Sequence, residues 1–241
     1  MNPLLVNITN GVKVHGHLDT RFVLSVPQLE IRPGEVCIVS GSSGCGKTTL
    51  LDILGCMSGF DRCEQFHYSF GGKVYDVNAA GAWGKAQLRR KHLGYILQKD
   101  GLLSYLSAWE NIRLAMSMAG CGKNAPYALE LARAMGIEEH LSKRPPELSI
   151  GQRQRVSIVR ALATRASLLL ADEPTGALDP ITAESIRAEL ARAVRQCGAT
   201  LILVTHDLRL FESIGERFFG FQLSRQDNVV CSTLYESGRA F

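Results

Sequence analysis

Three short apolar runs in the chain do not alternate with polar residues: Val36 to Val39, Leu168 to Ala171 and Leu201 to Val204. A run without alternation has no wet face, so each predicts a strand covered on both sides, as in a parallel sheet flanked by helices. Elsewhere the apolar residues recur every three or four positions, which predicts helices. Such segments are Thr49 to Met57, Ser107 to Met118 with Trp109, Ile112 and Met116 on one stripe, Tyr127 to Met135, a helix carrying Val156, Val159 and Ala163, and Pro180 to Gln196. Their ends are marked: Ser107 and Glu110 stand at capping-box spacing, Ser149 and Asp179 are placed as N-caps, and Pro180 falls at a first helical position. Residues 4 to 35 read as short strands with turns at Asn10-Gly11 and Pro33-Gly34, and 217 to 232 as a hairpin. Buried strands alternating with amphipathic helices make this an α/β chain.

Each of the three apolar runs ends in polar residues. The first leads into Gly41-Ser42-Ser43-Gly44-Cys45-Gly46-Lys47-Thr48, followed by Thr49 and its helix. Gly41, Gly44 and Gly46 allow successive backbone N–H groups to turn inward around phosphate oxygens. Lys47 adds a full positive charge, Thr48 offers a hydroxyl to Mg²⁺, and the helix behind them points its positive end at the same anion. This arrangement predicts a bound nucleoside triphosphate. The second run stops at Asp172-Glu173-Pro174, where Asp172 is placed to reach Mg²⁺ through water and Glu173 to orient or deprotonate an attacking water. The third stops at Thr205-His206-Asp207, where His206 can donate to a γ-phosphate. Strand ends of this kind are where open α/β sheets hold ligands. Ser149 opens a second helix start suited to an anion, and a chain whose own loop already cradles one triphosphate has that spare site to offer a nucleotide held by a neighbouring copy.

With 241 residues and 46% apolar content, the chain suits one sizeable α/β domain or a core with a subdomain. Its 27 basic and 23 acidic residues leave a net charge of +4, so no strong field for a polyanion exists and no nucleic-acid partner is expected. The densest basic run, Lys85 to Lys91, reads as a solvated helix face. Seven cysteines, an odd number without close-spaced metal pairs or a secretory leader, fit a reducing cytosol. Cys45 reads as a small packing residue or as a thiol that a bound nucleotide shields. No apolar stretch reaches the roughly eighteen residues of a membrane-spanning helix, so a membrane role would come through a partner. There is no internal repeat, low-complexity stretch or heptad run.

Behind the phosphate loop stand, in order, Gln98 after Tyr95-Ile96-Leu97, then Leu148-Ser149-Ile150-Gly151-Gln152, Leu169-Leu170-Ala171-Asp172-Glu173-Pro174, Ala177-Leu178-Asp179 and Thr205-His206-Asp207. With these, the chain from about residue 4 to 223 resembles an ATP-binding cassette ATPase. The resemblance implies a P-loop NTPase core with a mostly parallel sheet, an N-terminal antiparallel β subdomain and an inserted α-helical subdomain. Residues 1–97 and 160–241 would form the ATP-binding core, and 98–159 the helical part. It also implies a head-to-tail dimer clamping two ATP molecules, each between one copy's loop, Gly41 to Thr49, and the other copy's Ser149, Gly151 and Gln152. Lys47 would hold the β- and γ-phosphates, Thr48 and Gln98 would serve Mg²⁺, Glu173 would be the general base, His206 would support the γ-phosphate, and Asp179 would communicate across the dimer.

Two positions depart from the family pattern. Ile150 stands where the signature usually has glycine, and the aromatic residue that stacks on adenine has two candidates, His15 and Phe22. The blocks Leu93 to Gln98, Ser107 to Asn111 and Pro146 to Ser149 look most similar to stand-alone cassettes of the lipoprotein-release and macrolide-export type. Those act from the cytoplasmic face of the inner membrane on a separate integral membrane permease. The alternatives are a generic importer ATPase and an ATP-binding regulatory module with little turnover. Leu102 to Leu106, unusually apolar for a connection, is either an exposed patch for a membrane subunit's short helix or simple subdomain packing.

Overall fold

The computed structural model describes residues 4–16, 21–99, 101–122, 124–226 and 228–238. In chain order the first elements are strands Val6–His15 (β1), Arg21–Ile31 (β2) and Val36–Ser40 (β3), helix Lys47–Leu54 (α1), strands Gln65–Phe70 (β4) and Lys73–Asp76 (β5), and helix Ala82–His92 (α2). There follow strand Leu93–Ile96 (β6), helices Ala108–Ala119 (α3), Ala125–Ala134 (α4) and Ile150–Ala163 (α5), strand Leu168–Asp172 (β7) and helix Pro180–Cys197 (α6). Strand Thr200–Thr205 (β8), helix Leu208–Phe211 (α7) and strands Arg217–Gln226 (β9) and Val229–Ser237 (β10) close the chain. These elements form two compact units, Met1–Arg89 with Ile202–Phe241, and Arg90–Leu201.

In the first unit the strand order is β5-β4-β1-β2-β10-β9-β3-β8, with residues 202–205 of β8 belonging here. The sheet is mixed: β1, β2, β4 and β5 pair antiparallel, β10 runs parallel to β2 and antiparallel to β9, and β3 runs parallel to β9. Alternation explains the antiparallel part, because Val6 and Ile8 of β1 and Leu24, Val26, Leu29 and Ile31 of β2 all turn inward. In β3 and β8 the apolar runs are buried without a break, as their lack of alternation predicts. The hairpin expected over 217 to 232 is present and runs on to Ser237.

The turn expected at Asn10-Gly11 is absent, and β1 passes straight through it, with Thr9 opposite Gln28 and Gly11 opposite Val26. Asn10 adopts φ 52°, and its side-chain amide donates to Glu64 at 2.7 Å. Gly11 is required by packing, since a Cβ there would fall 2.6 Å from the Phe60 ring. Asn and Gly therefore mark one left-handed residue and one close approach within a strand, a use of the pair that local sequence does not separate from a turn. At Pro33-Gly34 the turn is present, with Gly34 at φ 82°. On α2 the basic run faces solvent through Arg90 and Lys91, while Leu88 is buried and Arg89 donates to the Cys56 carbonyl at 2.6 Å.

In the second unit β6 and β7 pair in parallel, and α3, α4 and α6 pack on α5. The α3 capping box is complete in both directions, and Ile112 and Met116 are buried on its inner stripe. Helix α4 starts at Ala125 rather than Tyr127, because Pro126 sits in the first turn, where no backbone donor is needed. The connection Leu102 to Leu106 is partly packed and partly exposed. Leu102, Leu103 and Leu106 are half-buried and held by Asn111, which accepts from the Leu103 N–H and donates to the Leu103 and Leu106 carbonyls, while Tyr105 remains 68% exposed.

Candidate nucleotide-binding site

The phosphate loop lies in the first unit, between β3 and α1. Gly44 at φ 79° and Gly46 at φ 106° hold backbone conformations that favour glycine. Gly46 is doubly constrained, because a Cβ there would lie 3.2 Å from the Phe22 ring and 3.3 Å from Leu24. Lys47 is 8% exposed, and its ammonium donates to the Gly41 carbonyl at 2.7 Å and the Ser42 carbonyl at 3.0 Å. Ser42, Ser43, Gly44 and Thr48 are exposed and Thr49 is half-buried, so the anion-facing rim is open to solvent. Cys45 is buried beneath the loop, where its carbonyl accepts from the Ser232 hydroxyl at 2.6 Å. Burial pushes its thiol pKa up against the lowering effect of Lys47, so Cys45 packs as a neutral residue.

Strand β8 lies beside β3 and ends in a tight turn where the Asp207 N–H donates to Thr205 Oγ1 at 2.9 Å, leaving His206 exposed. The two adenine candidates face each other across β1 and β2, with ring centroids 6.4 Å apart. Phe22 is half-buried against Gly46, whereas His15 is exposed at the strand end.

The second unit holds the remaining candidates. Asp172 ends β7, and Glu173 follows it at φ 43°, a left-handed conformation in a residue with a side chain. Such backbone costs on the order of 1 kcal/mol and persists where its surroundings hold it. Here the Gly176 N–H donates to the Glu173 carbonyl at 3.0 Å, and the Gln98 amide donates to Glu173 Oε2 at 3.4 Å. A Cβ on Gly176 would come within 3.1 Å of the Gln98 amide nitrogen, so glycine keeps this pair together. Sequence reasoning missed Gln154, which is 3% exposed and donates to the Leu97 carbonyl at 3.3 Å, tying α5 to the residue before Gln98. Its one signal was a lone amide on the apolar face of a helix.

Ser149 caps α5 as expected. Its hydroxyl accepts from the Gln152 N–H at 3.2 Å, and its own N–H donates to Gln152 Oε1 at 2.9 Å. Ile150, the departure from the family signature, is 51% exposed on the first turn. Gly151 is buried, and a Cβ there would sit 2.8 Å from Thr182 Cγ2 on α6. That crowding predicts that Gly151→Ala lowers stability by about 1–3 kcal/mol even without nucleotide, as read from the midpoint of thermal or denaturant unfolding. The same two helices are joined by Arg155, bidentate to Glu189 at 2.8 and 3.0 Å. Asp179 caps α6 through the Thr182 N–H at 3.0 Å. Hydrogen bonds from Thr182 hold its carboxyl pKa below the ordinary value, so this contribution is present above the unfolded pKa and disappears as pH falls through the lowered one.

Among the described residues no helix is long and apolar enough to cross a membrane. The protein-family model described as ABC transporter matches residues 24–176, more than half of the chain. The chain belongs to the ABC transporter family. This cassette is 42% identical over 196 residues to the macrolide export ATP-binding/permease protein MacB of Syntrophobacter fumaroxidans, covering 80% of the cassette and 27% of that protein. It is 44% identical over 187 residues to MacB of Wolinella succinogenes, covering 77% and 28% respectively. The cassette thus spans little more than a quarter of the length of these relatives. A dimeric bacterial ABC transporter cassette, MJ0796, matches it with a TM-score of 0.73 at 30% identity over 93% of this chain and 96% of that one. The same cassette in a dimeric post-hydrolysis state with ADP and Pi matches at a TM-score of 0.71 and 29% identity. The cassette is an ABC-type ATPase with the α/β fold of the P-loop NTPases.

Proposed function

We propose that the cassette dimerises on ATP, hydrolyses it, and drives a separate integral membrane permease from the cytoplasmic face of the inner membrane, in the manner of the macrolide-export and lipoprotein-release type. The observation that carries this reading is the presence of two anion-suited helix starts in one chain: α1 behind its glycine loop, and α5 behind the Ser149 cap. The first holds the chain's own ATP through Gly41 to Thr49, with Lys47 on the β- and γ-phosphates. The second offers Ser149, Gly151 and Gln152 to the ATP of the other copy, with Asp179 communicating between the two.

Glu173 is the general base and His206 the donor to the γ-phosphate. The oxygen donors of Thr48, Gln98 and Asp172, the last through water, suit Mg²⁺, a hard ion that keeps several of its waters. Held there, Mg²⁺ would supply charge neutralisation to the phosphates. His15 is the adenine platform, because Phe22 is already engaged under Gly46. His15→Ala should then weaken ATP binding about tenfold with little change in unfolding. Phe22→Ala should instead destabilise the loop, and a fluorescent-nucleotide titration beside a melting curve separates the two.

Steady-state phosphate release, measured for the cassette alone and with the membrane proteins that co-purify with it, tests the whole reading. Stimulation by a permease is expected. A second reading, an ATP-binding regulator with little turnover, is favoured by Ile150, whose branched side chain replaces glycine at the first turn of α5. It predicts ATP-driven dimers without appreciable phosphate release under either condition.

A further inference from the structure

The capping box that opens α5 has a further partner. Because Gln152 Oε1 accepts from the Ser149 N–H, the orientation of the Gln152 amide is decided and its NH₂ end points away from the cap. That nitrogen lies 2.8 Å from His140 Nε2. An amide NH₂ only donates, so His140 Nε2 must accept, and the ring proton resides on Nδ1. His140 Nδ1 is buried and has no hydrogen-bond partner among the described residues. A buried N–H without a partner is costly. The ring thus occupies the tautomer that Gln152 requires at the expense of its own second nitrogen.

The imidazole is also presented from a fixed place. His140 ends a 3-10 turn, Glu138–His140, whose Glu138 is bidentate to Arg133 of α4 at 2.9 and 2.6 Å. The His140 N–H donates to the Ile137 carbonyl at 3.0 Å, and its carbonyl accepts from Lys143 at 3.0 Å.

We propose that His140 is a positioning residue for the ATPase reaction: by accepting from Gln152 it fixes that amide, and through it the orientation of Ser149 at the start of α5. The inference rests on the function proposed above, in which Ser149 and Gln152 face the ATP of the other copy. Without His140 the Gln152 amide keeps only the bond from the Ser149 N–H, and its NH₂ end loses the acceptor that holds it, which loosens the cap. The loop proposed to hold the chain's own nucleotide, Gly41 to Thr49, does not include this turn.

The test compares the full chain with His140→Leu, His140→Gln, Gln152→Ala and the His140→Leu/Gln152→Ala pair. The readouts are phosphate release, ATP-driven dimerisation in the Glu173→Gln background, nucleotide binding by the single chain, and melting temperature. His140→Leu should lower kcat and weaken dimerisation about tenfold while single-chain nucleotide binding holds within twofold. His140→Gln, whose carboxamide oxygen accepts, should recover most of the loss, and His140→Leu should add nothing once Gln152 is alanine. Wild-type kcat in His140→Leu, an equal loss in the Gln152→Ala background, or no rescue by His140→Gln would overturn the proposal. Nitrogen-15 spectra of His140 read the tautomer independently of any activity: a proton on Nδ1 is expected, and a proton on Nε2 defeats the assignment even if the cassette hydrolyses ATP. A wild-type chain that shows the Nδ1 proton but neither dimerises nor hydrolyses ATP would refute the functional reading and, with it, the role of His140 in the reaction.

Discussion

Glu173→Gln should reduce steady-state ATP hydrolysis by about 10²- to 10⁴-fold while leaving nucleotide binding within a few fold of wild type. The substitution keeps the shape of the side chain, so the φ 43° backbone and the neighbouring Gln98 and Gly176 need not move. In the proposed role of Glu173 as general base, what it removes is the carboxylate's ability to take a proton from the attacking water. In the dimer proposed above, the ATP sandwich would then form without turning over, so the protein should migrate as a dimer with ATP and as a monomer with ADP in size-exclusion chromatography. Wild-type phosphate release from the variant would show that another group is the base and remove the central assignment of the mechanism.

Lys47→Ala should abolish measurable hydrolysis and weaken ATP binding by about 10- to 100-fold, the scale of losing one or two charge-assisted hydrogen bonds to phosphate. The structure adds a second consequence. The Lys47 ammonium bonds the Gly41 and Ser42 carbonyls, so alanine also takes a charged donor from two loop carbonyls and leaves Ser42 with the Cys45 N–H at 3.3 Å. The loop should lose part of its preorganisation before any nucleotide arrives. The check is the nucleotide-induced rise in melting temperature, which follows ligand affinity by mass action and should vanish in the variant at ATP concentrations that stabilise the wild type. An unchanged rise would mean that the backbone amides alone hold the triphosphate.

Much of the candidate site was legible because its chemistry is local in sequence. A glycine loop, a capping box and a pair of carboxylates after an apolar strand are each written within a few residues, and the caps at Ser107, Ser149 and Asp179 appear as expected. The error at Asn10-Gly11 has the same root seen from the other side. Its meaning depends on Phe60 and Glu64, some fifty residues away, and no local pattern carries that information. Gln154 and His140 were missed for this reason too, since each acts on a residue from another element.

Chain order and residue type by themselves determined the α/β class, the phosphate loop and the family, because backbone turning, strand burial and helix capping are short-range demands that composition at fixed spacing satisfies. Only the tertiary structure decided that Gly46 is needed against Phe22 as well as for its φ, that Gly151 is needed against Thr182, and that Glu173 is held in a left-handed conformation beside Gln98. The physical reason is that excluded volume and hydrogen-bond partnership between distant segments come into being only when the chain packs.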